Sequence, residues 1–115
     1  MKYLCLIYHD EKKIDALSAD DINAVVGDCE PFTAELKSNG QLLAAERLKT
    51  TSSATTIRVD SGKVSITDGP FAETKEQLGG FFLVEAKDLD EAIGIASRLP
   101  PARLGGAVEV RPVWE

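Results

Sequence analysis

A chain with one histidine and two cysteines has little with which to hold a metal ion or run thiol chemistry. His9, Cys5 and Cys29 show no zinc-type spacing and no Cys–His pairing, and no nucleophile elbow is present. Cys5 falls in an apolar run and Cys29 on the apolar side of a helical pattern, so both are expected as buried, reduced thiols rather than a disulfide. Long hydrophobic runs are missing too. The apolar stretches are strand-sized, and no membrane span is expected. Met1-Lys2-Tyr3-Leu4 enters a strand-like run directly, without the basic region and cleavable apolar segment of a secretory leader, so a cytoplasmic location is expected. Basic residues are outnumbered, 13 against 19 acidic, for a net charge of −6. A nucleic-acid partner requires a basic face and is therefore not expected. Gly79-Gly80 lacks the spacing and the strand-loop-helix context of a dinucleotide or phosphate loop, and no cofactor is expected.

What is present suffices for one domain over residues 1–115. Tyr3 to Tyr8 is apolar at every position, which predicts a strand covered on both faces and hence central. Ser18 with Asp21 predicts a helix start, and Ile22, Val25, Val26, Cys29, Phe32 and Leu36 recur as one buried stripe. Pro31 interrupts that pattern and predicts a kink near Gly27 to Asp28, or two helical pieces. Gln41 to Leu48 reads as a second strand. Thr55 to Val59 and Lys63 to Thr67 form a hairpin, with a bulged or three-residue loop at Asp60-Ser61-Gly62. Val64 and Ile66 face one way on its second arm; Lys63, Ser65 and Thr67 face the other. Phe81 to Val84 is a second all-apolar, central strand. Asp88 caps a helix whose stripe is Leu89, Ala92, Ile93, Ala96 and Leu99, and Pro100-Pro101 stops it. Val108 to Trp114 is the last strand, placed at an edge or interface by Pro112.

The order β-α-β, hairpin, β-α-β is an α+β, ferredoxin-like split βαβ plan with an added hairpin. Two helices cover only one face of such a sheet, while both central runs are apolar on two sides. A second copy packed face to face would resolve this, so a homodimer is expected.

The stretch from Val64 to Gly80 (Val-Ser-Ile-Thr-Asp-Gly-Pro-Phe-Ala-Glu-Thr-Lys-Glu-Gln-Leu-Gly-Gly) resembles the Asp-Gly-Pro-Phe branch of the YCII-related family. So do Met1 to Tyr8, Phe81 to Glu85, Asp88 to Ala92 and Val108 to Pro112. The resemblance covers essentially the whole chain and implies a dimeric α/β barrel. It implies little about function. Members of this branch are often encoded beside extracytoplasmic-function sigma factors. Distant relatives on the same barrel, including muconolactone isomerases, small monooxygenases and a dehydrochlorinase, handle small, often aromatic molecules. Some YCII-type relatives are thought to use a His–Asp pair with the His near the start of the first helix; here that helix has no His, and the single histidine is His9 at the end of the first strand.

The candidate site is a cleft beside the Asp-Gly-Pro-Phe loop. Asp68, at a strand end before Gly-Pro, reads either as a turn carboxylate held by backbone N–H groups or as a base placed in the cleft. His9 is a candidate proton partner, against the alternative of a solvated strand end. Phe71 is expected as a core plug more readily than as a cleft wall. Glu73, Lys75 and Glu76 read as solvated charge, with Arg47 and Arg111 able to pair with them or to clamp an anionic ligand. Two functions follow. One is a small organic molecule bound beside the loop with acid–base chemistry at Asp68 and His9. The other is a non-catalytic regulatory or protein-interaction module tied to a sigma-factor system. A third reading makes the loop a purely structural lock for the dimer.

Overall fold

The computed structural model describes residues 1–115. Strand β1 (Lys2–His9) leads through a short helix α1 (Glu11–Asp15) into the long helix α2 (Ala19–Ser38). Strand β2 (Leu42–Arg47) and a 3-10 turn (Thr51–Ser53) precede the hairpin β3 (Thr55–Asp60) and β4 (Lys63–Asp68). Strand β5 (Gln77–Glu85), helices α3 (Leu89–Ser97) and α4 (Pro100–Arg103), and strand β6 (Ala107–Pro112) complete the chain. The main sheet is antiparallel in the order β2-β5-β1-β6, with the two all-apolar strands in the centre and Pro112 on an edge. This is the split βαβ arrangement, and β3-β4 form a separate two-stranded sheet.

Alternation assigns the two faces of the main sheet. Tyr3, Cys5 and Val84 turn toward the helices and pack with Leu36, Ala92, Ile95, Ala96 and Leu99 in the core. Burial raises the Cys5 thiol pKa above its ordinary value, which suits a packing residue rather than a nucleophile. The opposite face carries Leu4 and Leu6 of β1 beside Leu83 and Phe81 of β5, all half-buried, with no element laid over them.

Several local expectations are met and others corrected. Ser18 caps α2 by accepting from the Asp21 N–H, and Asp88 caps α3 by accepting from Glu91. Helix α2 runs unbroken through Pro31 rather than in two pieces, with Cys29 buried before the proline and Phe32 and Leu36 packed on the core after it. In α3 the buried face is Ala92, Ile95 and Ala96, continued by Leu99 just beyond the helix, while Leu89 and Ile93 are about half exposed, so the stripe is rotated from the one expected. Pro100-Pro101 does stop α3, but it also opens α4, since proline is tolerated in a first helical turn. The hairpin loop is two residues, not three. Asp60 pairs with Lys63, and Ser61 and Gly62 have φ of 49° and 79°, the two positive values a type I′ turn requires.

Candidate functional site

A β-bulge sets the geometry of the site. Along β1, Ile7 pairs with Gly80 and Tyr8 with Leu78, which leaves Gly79 as the extra residue of β5. A side chain at position 79 would fall on the imidazole of His9, and one at Gly106 would meet the Tyr8 carbonyl at 2.7 Å and the His9 Cβ at 3.5 Å. Gly79 of β5 and Gly106, just before β6, thus make the niche for the only histidine. At Gly80 an added Cβ would come within 2.7 Å of the Glu46 carbonyl oxygen, so the close approach of β2 to β5 also depends on glycine.

Gly79 and Gly80 form the floor of a cavity of about 320 Å³ on the helix side of the sheet. Its walls are Ile14 of α1, Ile22 and Val26 of α2, and Pro100, Pro101 and Leu104 around α4. Ile7 and Phe82 line it from the sheet, and His9 and Arg47 supply its polar groups together with Glu46. Arg47 pairs in register with Gly80, one strand removed from Ile7, so a floor without side chains separates it from His9. No ion pair occupies Arg47, and no hydrogen bond to another residue occupies the His9 ring.

A second cleft, about 660 Å³, lies beside the Asp-Gly-Pro-Phe loop. Pro70, Phe71, Ala72 and Thr74 line it from the loop, Tyr8 and Leu78 from the sheet, and Leu48 to Thr51 with Ser53 and Ala54 from the connector. Tyr8 and His9 are consecutive on β1 and open into different cavities.

The predicted site residues are therefore divided. His9 and Arg47 share the helix-side cavity, and Phe71 belongs to the loop cleft. Phe71 is 74% exposed, so it is not the core plug expected, and its ring lies under the Arg58 guanidinium at 5.1 Å. Asp68 lines neither cavity and makes no side-chain hydrogen bond, so it is not the backbone-held turn carboxylate. Its pairing with Thr55 puts it on the Ile57, Val59, Val64 and Ile66 face of the hairpin, turned from the loop that follows it. Arg111 pairs with Glu109 on the edge strand rather than with the loop. Glu73, Lys75 and Glu76 are exposed and form no ion pair. The cavity walls of α1 and α4 went unpredicted because both helices are a single turn long; the Gly79-Gly80 pair was the available signal.

No group of three or more His, Cys, Asp or Glu side chains is placed to hold a metal ion. No helix is long and apolar enough to cross a membrane.

The sequence profile of the YCII-related domain matches residues 1–115. The chain belongs to the YCII-related family. An uncharacterised protein of Rhizobium meliloti (strain 1021) is 40% identical to this YCII-related chain over 114 residues, 98% of this chain and 92% of the relative. Among solved structures, 5-chloro-2-hydroxyhydroquinone dehydrochlorinase from Burkholderia phenoliruptrix AC1100, in complex with 2,5-dihydroxybenzoquinone, superposes with a TM-score of 0.46 at 16% identity. That alignment covers 100% of this chain and 94% of the dehydrochlorinase.

Proposed function

We propose that the helix-side cavity binds a small organic acid with an apolar body, and that His9 exchanges a proton with it. One observation carries this reading: the only histidine sits in a glycine-made niche at an apolar cavity, across a bare floor from an arginine with no carboxylate partner. The volume of about 320 Å³ is at the lower end of small-molecule pockets. Apolar walls would take the body of the ligand, the Arg47 guanidinium its anionic group, and the imidazole could take up or release a proton. Asp68 has no place in this cavity, so the acid–base role falls to His9 rather than to a His–Asp pair. The proposal includes a homodimer formed by two uncovered sheet faces, supported by the apolar row Leu4, Leu6, Phe81 and Leu83. Such a dimer would be the α/β barrel.

The lack of any contact between His9 and Asp68 also favours a second reading, a ligand-binding module without turnover that serves regulation. A thermal-shift screen of small keto and hydroxy acids, followed by NMR of C–H exchange in D₂O, separates the two. A ligand at a hundred times its Kd stabilises the wild type by roughly 2.7 kcal/mol. Arg47→Gln should lose the shift. His9→Asn should keep the shift and lose exchange at the C–H beside the ligand's carbonyl. Binding without exchange in the wild type would support the regulatory module, and shifts unchanged in Arg47→Gln would overturn the site itself.

A further inference from the structure

The Asp-Gly-Pro-Phe loop takes no part in the helix-side cavity, yet its own cleft has a fixed frame and an unpaired lining. The Gly69 N–H donates to the Ala54 carbonyl at 2.7 Å, and the Thr56 hydroxyl donates to the Gly69 carbonyl at 2.8 Å. Gly69 has φ of 110°, a conformation costly for any other residue, which turns the chain so that Pro70 and Phe71 face the connector. Across the cleft, the Glu11 carboxylate accepts from both the N–H and the hydroxyl of Thr51, at 2.8 and 3.1 Å. The Gln77 side chain ties the loop to α1, accepting from the Glu11 N–H at 3.0 Å and donating to the Thr74 carbonyl at 2.6 Å. Both walls are thus held in place by satisfied polar groups.

Two further lining residues, Lys49 and Tyr8, are not satisfied in this way. Lys49 enters none of the three ion pairs, and the Tyr8 hydroxyl has no partner in the protein. Phe71 leaves most of its ring open, with Arg58 over it and no carboxylate on Arg58. In a chain of net charge −6, Lys49 lines this cleft and Arg58 lies over its Phe71, both without acidic partners, and the cleft also offers two aromatic rings.

We infer that this cleft is a second ligand site, separate from the His9 cavity, and that it takes a flat aromatic carboxylate. Tyr8 from the sheet and Phe71 with Pro70 from the loop would contact the ring, and Lys49 would hold the carboxylate, with Arg58 adding positive potential beside it. Planarity is selected by the aromatic contacts, and charge by an ammonium that no residue of the chain neutralises.

Titration with benzoate, followed by two-dimensional NMR, tests this, with cyclohexanecarboxylate as the charge-matched but puckered control. The expected result is saturable shifts at Lys49–Ala54 and Pro70–Thr74, with benzoate bound at least tenfold more tightly than the control. Lys49→Gln and Phe71→Leu should each weaken benzoate about tenfold. Both positions are exposed, so their variants should keep the wild-type circular dichroism and melting curve. His9→Asn and Arg47→Gln should leave the benzoate affinity read at Lys49–Ala54 and Pro70–Thr74 unchanged, which separates this site from the helix-side cavity whatever binds there. Equal affinity for the puckered acid, an unchanged affinity in Lys49→Gln and Phe71→Leu, shifts confined to the His9 cavity, or no saturation by millimolar benzoate would each overturn the inference.

Discussion

Gly79 decides where the histidine can be. The imidazole lies against its α-carbon, so Gly79→Ala leaves the fold intact but expels the ring, because a side chain moves aside more readily than backbone. Gly80→Ala has no such escape, since its new methyl group meets the Glu46 carbonyl of the paired strand. We expect urea denaturation to show a loss of about 1–3 kcal/mol for Gly80→Ala, the usual cost of forced overpacking, and a smaller loss for Gly79→Ala. A His9→Gly background should remove most of the Gly79→Ala cost, so that a double-mutant cycle reports the coupling. A Gly-Gly pair lets another group approach the backbone closely, and that much is legible in the sequence. Asp68 was the harder case. Its chemistry was legible, but its direction depended on strand parity. Because β4 continues through Asp68, the carboxylate follows Val64 and Ile66 rather than the loop.

Among the elements, α2 shows where local rules yield to packing. A proline inside a helix removes one hydrogen bond and crowds the carbonyl four residues back, and the sequence therefore predicts a kink near Gly27 to Asp28 or two pieces. The observed helix is continuous, with Cys29 and Leu36 buried and Phe32 beneath the Arg98 guanidinium at 3.6 Å. Pro31 is itself exposed, so it contributes little packing to set against its backbone cost. Pro31→Ala should raise stability by about 1–3 kcal/mol, read as a higher urea midpoint with an unchanged slope. A loss of stability would mean that the proline shapes the helix for its contact with the sheet. The strands were easier to read, since uninterrupted apolar runs and the β-branched alternation of the hairpin are strong signals. The one-turn helices α1 and α4 carry no periodicity at all, and half of the cavity wall was hidden for that reason.

The whole molecule is a thin plate. Its extents are 47 × 39 × 20 Å and its radius of gyration is 16.0 Å, against about 13 Å for a compact chain of this length. The short dimension is that of one sheet and one helix layer, and the hairpin extends the long ones. Ile57, Val59, Val64 and Ile66 share one face of that hairpin and are 62 to 67% exposed. A two-stranded ribbon is marginal alone, and apolar area of this kind on top of an uncovered sheet face is more than a monomer ordinarily shows. Light scattering should give twice the chain mass of 12.4 kDa. Leu83→Glu, on the uncovered face, should yield a folded monomer; a monomeric wild type would refute the dimer. This demand for a second layer was legible in the sequence from two strands apolar on both sides. The exposure of the hairpin was not, because alternation reveals which residues share a face but not what meets it.

The bulge at Gly79 has one more implication. The pairs on either side of it, Ile7 with Gly80 and Tyr8 with Leu78, are in phase, so the two central strands would zip together equally well with that residue deleted. The sheet does not need the insertion; the histidine niche does. A gain or loss of a single codon would therefore separate a sheet with a niche for His9 from one without it, with no change to the strand order.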